Sequence, residues 1–256
     1  VSIPFLGDIP KSDVKEKIVV RGDARSSIAE AFRLIRTNLD FMLANSKSKS
    51  NTIFITSTTS GEGKSFISIN IAASLALSGK KVLLLGMDLR APKVTQYLGL
   101  SDRKGVTNYI TDDDLSIADL IFSIDEIKSL DIISSGVVPP NPAELLMTKR
   151  VENLFTIVKE EYDYIIVDTA PVNLVTDTLL IAKYADMFMY VARANYLDKR
   201  LLSIPQSLYK EKRLPNMAMI LNDTDPKRSY GYGYGGYGYG YVIEEKPWYK
   251  KLFNKS

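Results

Sequence analysis

Residues 53–66 read IFITSTTSGEGKSF, an apolar run followed by a loop with two glycines and a Lys-Ser pair. A helical pattern begins directly after the loop, so the stretch has the strand, loop and helix order of a phosphate-binding loop. Backbone N–H groups and the start of the helix favour an anion there. Thr58 stands where the strict motif has glycine, and a glycine-rich turn that happens to precede a helix is the alternative interpretation.

This loop supplies the predicted nucleotide-binding residues. Lys64 is expected to bridge the β and γ phosphates, and Ser65 is expected to bind Mg²⁺. Gly61 and Gly63 permit backbone conformations that a side chain would obstruct. The loop residues predicted to bind nucleotide are Ser60, Gly61, Glu62, Gly63, Lys64, Ser65 and Phe66.

Two carboxylates follow apolar runs elsewhere in the chain. Asp168 ends the run YIIVD, and Asp88 follows VLLLGM. Because a carboxylate at the end of a buried strand can hold Mg²⁺ in a phosphate-loop site, Ser65, Asp88 and Asp168 are the predicted metal ligands. Arg90 is expected to pair with a carboxylate or with phosphate. The structural alternatives are an Asp that caps the next element and an ordinary exposed Asp–Arg pair.

Short apolar runs alternate with helical stretches along most of the chain, which is the pattern of a parallel sheet with crossover helices. We predict one doubly wound, mainly parallel α/β domain over residues 25–225, preceded by an irregular lead-in over residues 1–24. The predicted strands are Thr52–Thr56, Val82–Leu85, Leu130–Ile133, Tyr164–Val167, Met187–Val191 and Met217–Leu221. The predicted helices are one starting at Ser26 or Ser27 with an apolar stripe to Met42, then Ser65–Ser78, Ala143–Glu161, Thr176–Lys183 and about Lys199–Lys212, with a further helix and acidic turn within Thr111–Asp125.

Composition excludes several classes of protein. The 256 residues contain no cysteine and no histidine, which rules out disulfides, thiolate metal sites, cysteine nucleophiles and a Ser-His-Asp triad. A net charge of +3 from 33 basic and 30 acidic residues gives no indication of nucleic-acid binding, and no nucleic-acid partner is expected. No apolar run reaches the roughly 18 to 20 residues of a membrane span.

Taken together, these motifs resemble the bacterial tyrosine kinase family, the BY-kinases of capsule and exopolysaccharide export. The resemblance covers nearly the whole chain, since it includes EAFRLIR at residues 30–36, SSGVVPPNPAELL at 134–146 and the run YGYGYGGYGYGY at 230–241. It implies a P-loop NTPase fold related to the partitioning and division-site ATPases, with ATP or ADP and Mg²⁺ as cofactors. Thr59 replaces the extra lysine that partitioning ATPases carry early in the loop.

The resemblance also assigns roles to individual residues. Lys64, Asp88 and Asp168 would be catalytic, Asn222 would lie on the adenine side of the nucleotide, and Asp177 would be a switch residue. Glu30, Arg33 and Arg36 would make subunit contacts in a ring, for which a solvated, ion-paired helix face is the alternative. The phosphoacceptors, modified in trans by a neighbouring subunit, would be Tyr230, Tyr232, Tyr234, Tyr237, Tyr239 and Tyr241.

The tyrosine run admits two interpretations from its residues alone. Six tyrosines alternating with six glycines cannot build a packed core, so residues 226–256 are expected to form a flexible tail. A tyrosine flanked by glycine suits a phosphoacceptor because its hydroxyl can approach an active site without backbone obstruction. The alternative is a low-complexity linker or adhesive segment.

Gly86 marks a departure from the family pattern. The family normally has Asp-x-Asp at this strand end, and here the run is Gly-Met-Asp. The first carboxylate is the family's candidate for orienting or deprotonating the incoming tyrosine. Because phosphoryl transfer depends mainly on positioning and charge neutralisation, its loss need not abolish the reaction: the expected outcomes are slower activity or help from another carboxylate.

The expected partners follow from the same resemblance. They are further copies of the chain in a ring, of which an octamer is one expected size, a membrane-spanning and periplasmic segment of the same protein or a separate membrane activator, the polysaccharide export machinery and a tyrosine phosphatase. Residues 1–10 resemble the stretch that follows a second membrane span, so the chain is expected to be a cytoplasmic domain of a bacterial inner-membrane protein. A nucleotide-gated assembly protein and a regulatory ATPase with little kinase activity are the alternative functions.

Overall fold

The computed structural model describes residues 3–11, 16–21, 26–44, 48–101, 103–125 and 127–225. Within these residues, eight strands form one sheet in the order β1-β8-β7-β2-β6-β3-β5-β4. The strands are β1 (Phe5–Pro10), β2 (Asn51–Ser57), β3 (Val82–Gly86), β4 (Phe122–Ser123), β5 (Leu130–Ile133), β6 (Tyr164–Asp168), β7 (Met187–Arg193) and β8 (Ala218–Thr224). All neighbouring pairs of these described strands are parallel except β5 and β4, which confirms the predicted mainly parallel sheet.

Helices cover both faces of the sheet. They are α1 (Ser27–Leu43), α2 (Lys64–Leu77), α3 (Val94–Leu98), α4 (Val106–Thr111), α5 (Pro142–Leu146), α6 (Lys149–Glu161), α7 (Asp177–Ile181) and α8 (Ser203–Lys210), with short 3₁₀ turns at Ala118–Leu120, Ala182–Tyr184 and Lys199–Leu202. One core lies under α1 and α2 and includes Phe32, Ile35 and Ile67. The other lies under α6, where the Phe54 ring contacts those of Phe155 and Phe188. Among the described residues, no helix is long and apolar enough to cross a membrane.

The prediction that the chain begins with an irregular lead-in is wrong at β1. Residues Phe5–Pro10 pair in parallel with β8, and Leu6 and Ile9 are buried. The proline and glycine that indicated a loop are tolerated because β1 is an edge strand. A side chain at Gly7 would also collide with α1, since a Cβ there would lie 2.9 Å from Cγ1 of Ile35.

Two other predicted elements differ in the structure. The helix predicted over Ala143–Glu161 is two helices, because Thr148 adopts the extended conformation of an N-cap residue before α6, with φ −71° and ψ 156°. The stretch Thr111–Asp125 contains one 3₁₀ turn and the short strand β4 instead of the predicted α-helix. The tail at residues 226–256 and its tyrosines lie outside the described residues.

The parallel order brings the carboxyl ends of the strands to one edge of the sheet. The phosphate loop follows β2, and Asp88 follows β3. Asp168 ends β6, and Asn222 lies near the end of β8. Ligands of open α/β sheets bind at this edge. The topology therefore brings together residues that are more than 150 positions apart in the sequence.

Candidate nucleotide-binding site

The phosphate loop has the backbone conformation that its two glycines allow. Gly61 has φ +85° and Gly63 has φ +96°, and both values lie in the left-handed region that glycine adopts readily. A Cβ on Gly63 would also lie 2.2 Å from Nδ2 of Asn222. Gly63 is the N-cap of α2, so the helix begins at Lys64 and its first N–H groups face the loop.

Side chains from the ends of β7 and β8 hold three consecutive carbonyl groups of the loop. Ser60 O accepts a hydrogen bond from Tyr196 Oη (3.0 Å), Gly61 O from Arg193 Nη1 (3.1 Å) and Glu62 O from Asn222 Nδ2 (2.9 Å). In a trans peptide the N–H points away from the C=O. The N–H groups that follow these carbonyls therefore point to the opposite side of the loop, where an anion can accept hydrogen bonds from them. We call Arg193, Tyr196 and Asn222 the loop clamp.

Glu62 and Thr58 stabilise the loop from within. The fully buried Glu62 carboxylate accepts hydrogen bonds from Thr59 N at 2.6 Å and from Arg193 N at 3.3 Å. The Thr58 hydroxyl lies 2.9 Å from the hydroxyl of buried Tyr190, so the residue at the motif's glycine position has a partner. The side chain of Glu62, predicted to bind nucleotide, therefore binds the loop itself.

Asp168 lies at the centre of the predicted metal site. Its carboxylate accepts hydrogen bonds from Ser65 Oγ at 2.7 Å and from Ser68 Oγ at 3.2 Å, and the residue is 2% exposed. Burial raises the pKa of Asp168 to about 6, against the opposing effects of the Ser65 hydrogen bond and the Lys64 charge. The carboxylate is therefore held ionised at neutral pH at an energetic cost, which a cation would relieve.

The donor set fits Mg²⁺ held jointly by protein and phosphate. Ser65 supplies a hydroxyl and Asp168 a carboxylate, and Asp88 is a second buried carboxylate whose Oδ1 accepts from Ala91 N at 3.0 Å. Within the described residues no cluster of three or more acidic side chains is arranged for a metal. Mg²⁺ commonly uses one or two carboxylates with waters and substrate phosphates, so a small set is sufficient.

Arg90 pairs with a carboxylate, which is one of its two predicted partners. Its Nε and Nη2 donate to the two oxygens of Asp177 at 2.8 and 3.0 Å. The hydrogen bond and the charge of Asp177 raise the pKa of Arg90. Asp177 is buried and begins α7, so this two-point contact ties the segment after β3 to the segment after β6.

Gly86 lies beside Asp168 in the sheet and has little room for a side chain. The two residues are register partners between β3 and β6. A Cβ on Gly86 would lie 2.7 Å from Oγ of Ser135 and 3.0 Å from its backbone N. The loop after β5 therefore closes the space that the family's first carboxylate would enter.

Glu30, Arg33 and Arg36 lie on α1, away from these residues. Glu30 and Arg33 form an ion pair on the outer face of the helix. Arg36 donates from Nη1 to the carbonyl of Ser74 at 2.8 Å and so joins α1 to the last turn of α2. Both arginines line a separate cavity of about 260 Å³. One member of the predicted contact motif thus has a structural role within the chain.

The predicted nucleotide-binding residues line two adjoining cavities. A cleft of about 530 Å³ contains most of the phosphate loop together with Asp88. A second cavity of about 370 Å³ contains Asn222, and Phe66 and Tyr97 line both. The two cavities thus give a phosphate side and an Asn222 side. Lining residues that the sequence analysis missed include Lys17, Lys93, Tyr97 and Arg193.

Arg193 and Tyr196 had a signal in the sequence that was not used. Both stand at or just after the end of an apolar run, the position at which Asp88 and Asp168 were recognised. An Arg-x-x-Tyr sequence has no established meaning as a phosphate motif, so this position alone did not indicate a role in binding phosphate. Their role becomes apparent only in the structure, where β7 lies next to β2 and brings both side chains to the phosphate loop.

Comparison with known proteins agrees with this architecture. A family model described as an AAA domain matches residues 50–198. The chain is 35% identical over 188 residues to the tyrosine-protein kinase YwqD of Bacillus subtilis, covering 73% of the chain and 78% of the relative. It is 31% identical over 235 residues to the tyrosine-protein kinase ptk of Acinetobacter johnsonii, covering 87% of the chain and 32% of the relative. The chain thus spans about a third of the length of that second relative.

Solved structures extend the comparison to the fold. The kinase domain of Escherichia coli tyrosine kinase ETK superposes with a TM-score of 0.77 and 29% identity, over 91% of this chain and 95% of that one. The septum site-determining protein MinD from Pyrococcus horikoshii, complexed with Mg-ADP, has a TM-score of 0.54 and 20% identity over 70% of this chain and 75% of its own, a likeness that shows the fold alone. The chain therefore belongs to the bacterial tyrosine-protein kinase family, on a P-loop NTPase fold related to the division-site ATPases.

Proposed function

We propose that this chain is a catalytic domain that transfers the γ-phosphoryl group of Mg·ATP to tyrosine. The observation that carries the proposal is the convergence of Lys64, Ser65 and Asp88 on one cleft beside the phosphate loop, with the buried Asp168 hydrogen-bonded to Ser65. The names of its relatives support tyrosine as the acceptor.

The roles of the residues follow from this geometry. Bound Mg²⁺ would supply charge neutralisation for the phosphates. Lys64 offsets the charge of the β and γ phosphates, and the clamped loop orients the nucleotide through its N–H groups. Ser65 and Asp168, which are hydrogen-bonded to each other, would hold the metal, with Asp88 as the second carboxylate.

The transfer itself breaks the bond between the β–γ bridging oxygen and the γ phosphorus and forms a bond from the tyrosine Oη to that phosphorus. ADP leaves with the bridging oxygen, and the phenolic proton is released to water. Gly86 places no carboxylate where the family has one, so positioning and charge neutralisation carry the catalysis.

The acceptors in this proposal are the six tyrosines of residues 230–241 on a neighbouring copy in a ring, with an octamer as the expected size. Because Arg36 is engaged with Ser74, the contact with a neighbour is assigned chiefly to the outer face of α1 around the Glu30–Arg33 pair. Each phosphate adds about −1.5 to −2 charges, so a fully modified tail would repel its neighbours and favour dissociation of the ring.

The setting of the domain belongs to the same proposal. The chain spans about a third of its relative from Acinetobacter johnsonii, which leaves length in such proteins for a membrane-spanning and periplasmic part. We assign the domain to the cytoplasmic side of a bacterial inner membrane, where a membrane segment of the same protein or a separate activator would link it to polysaccharide export. A tyrosine phosphatase would reset the tail.

Intact mass after incubation with Mg·ATP tests the chemistry directly. We expect additions of one phosphate mass each on the wild-type chain, mapped to tyrosine, and none on Lys64→Met. No mass shift in a wild-type chain that binds ATP would replace the proposal with a nucleotide-gated assembly protein. Release of free phosphate without modified tyrosine would indicate a regulatory ATPase.

A further inference from the structure

Lys17 is a cation on the wall of the 530 Å³ cleft that faces the phosphate loop. It lies in the chain between β1 and α1 and lines the same cleft as Lys64 and Ser65. Its Nζ lies 5.3 Å from the centroid of the Tyr97 ring. That ring contacts Phe66, at the start of α2, with centroids 6.2 Å apart. The Tyr97 ring, itself packed against Phe66, thus lies beside the amine at the wall of the cleft.

Asn70 fixes the backbone of this segment to α2. Its Nδ2 donates to Lys17 O at 3.0 Å, and its Oδ1 accepts from Val19 N at 2.8 Å. Asn70 is fully buried, and Ile18 and Val20 are buried in the core. Because α2 also begins at the phosphate loop, the Asn70 contacts set the position of Lys17 relative to that loop.

Among the described residues, no carboxylate lies within ion-pair distance of the Lys17 Nζ, and the Tyr97 ring is the group that this amine contacts. The aromatic face attracts the ammonium group and leaves its N–H donors available to an anion in the same cleft. The cleft between Lys17 and Lys64 is where the phosphates of a bound nucleotide would lie.

We propose that Lys17 is a nucleotide-binding residue that contacts a phosphate group from the side opposite to the phosphate loop. The segment before α1 then completes the nucleotide site. This inference rests on the proposed function because it requires the cleft to hold a nucleotide. It adds a phosphate contact that no part of the loop motif supplies.

Calorimetric titration of ADP and adenosine into four forms of the chain tests this role. The forms are the wild type, Lys17→Met, Lys17→Arg and Lys81→Met. Lys81 is the matched control. It lies just before β3, at the opposite edge of the sheet, and its Nζ lies 4.8 Å from the centroid of the Tyr162 ring. The comparison of ADP with adenosine separates a phosphate contact from a general change in the cleft.

We expect Lys17→Met to weaken ADP binding about tenfold, as for the loss of one charge-assisted contact. Adenosine binding should stay within about twofold, Lys17→Arg should recover most of the ADP affinity, and Lys81→Met should behave as wild type. Unchanged ADP affinity in Lys17→Met, or equal weakening of ADP and adenosine, would overturn the role of Lys17 while leaving the nucleotide site intact. A wild-type chain that binds no ADP would overturn the site itself.

Discussion

The two sides of the cleft differ in how they are built. On the phosphate-loop side, three carbonyls, the Glu62 carboxylate and the Thr58 hydroxyl all have partners within the chain. On the β3 side, which we define by Gly86, Asp88 and Ser135, a glycine and a serine occupy the place where the family has a carboxylate. The difference indicates that the proposed nucleotide binding depends on a densely bonded loop, whereas the proposed phosphorylation of tyrosine depends on a few residues of the β3 side that can change separately.

Asp168→Asn should have the largest effect, because it removes the buried carboxylate that would hold Mg²⁺. We expect Mg-dependent tyrosine phosphorylation to fall about 10³-fold. Phosphate incorporation measured over a range of Mg²⁺ concentrations checks this. Activity close to wild type would assign the metal to Asp88, on the β3 side.

The same variant should make the nucleotide-free chain more stable. Because the folded-state pKa of Asp168 is raised to about 6, above the ordinary value near 4, the folded chain holds a proton more tightly than the unfolded chain does. The unfolding free energy therefore falls as the pH rises from about 4 through 6. Asp168→Asn should remove this fall and add on the order of 2 kcal/mol at pH 7, measured by urea denaturation. Equal pH dependence in the two forms would contradict the buried, costly carboxylate.

Gly86→Asp tests whether the β3 side lacks a carboxylate for lack of space. The added side chain meets Ser135, so we expect the unfolding free energy to fall by about 2 kcal/mol. Combining it with Ser135→Gly should recover stability and raise kcat about tenfold by supplying a base. Ser135→Gly alone is the control. A stable single variant with unchanged kcat would show that neither space nor a base limits this side.

Arg193→Ala should weaken the loop clamp without altering the β3 side. Arg193 joins Gly61 O to Asp223, so its loss frees one loop carbonyl and one carboxylate. We expect the KM for ATP to rise about tenfold while kcat changes by less than about threefold. Steady-state kinetics at fixed acceptor concentration gives the separation. A fall in kcat with KM unchanged would contradict a role in positioning the nucleotide.

Tyr196→Phe should give the smallest change, because it removes one partly exposed hydrogen bond to Ser60 O. We expect about a threefold rise in the KM for ATP. Tyr184→Phe, just before β7, is the matched control and should leave KM unchanged. If both variants behave alike, the Tyr196 hydroxyl does not contribute to the clamp.

Much of the site could be predicted because its motifs are local. The phosphate loop sits between a strand and a helix that both have clear apolar patterns, and Asp168 ends a strand that is apolar along its length. Burial on both faces of a parallel sheet produces such runs. The α1 stripe was also readable, since Ile28, Phe32 and Ile35 are buried at helical spacing.

The remainder depends on contacts between distant parts of the chain. Strand β1 was missed because an edge strand tolerates the proline and glycine that usually indicate a loop. The clamp joins Arg193 to Gly61 across 132 positions, and Asn70 reaches Lys17 across 53 positions. No local pattern encodes these contacts, because they exist only after the strands have taken their order in the sheet.

Phosphorylation in a mixture of two chains is the measurement that tests the proposed kinase most directly. Wild type would be incubated with Mg·ATP beside a Lys64→Met chain that carries the tyrosine run and a mass tag, and both would be weighed intact. We expect phosphate on the tyrosines of the tagged Lys64→Met chain in the mixture and none when that chain is alone. Phosphate confined to the wild-type chain would contradict transfer between copies, and no phosphate on either would contradict the kinase.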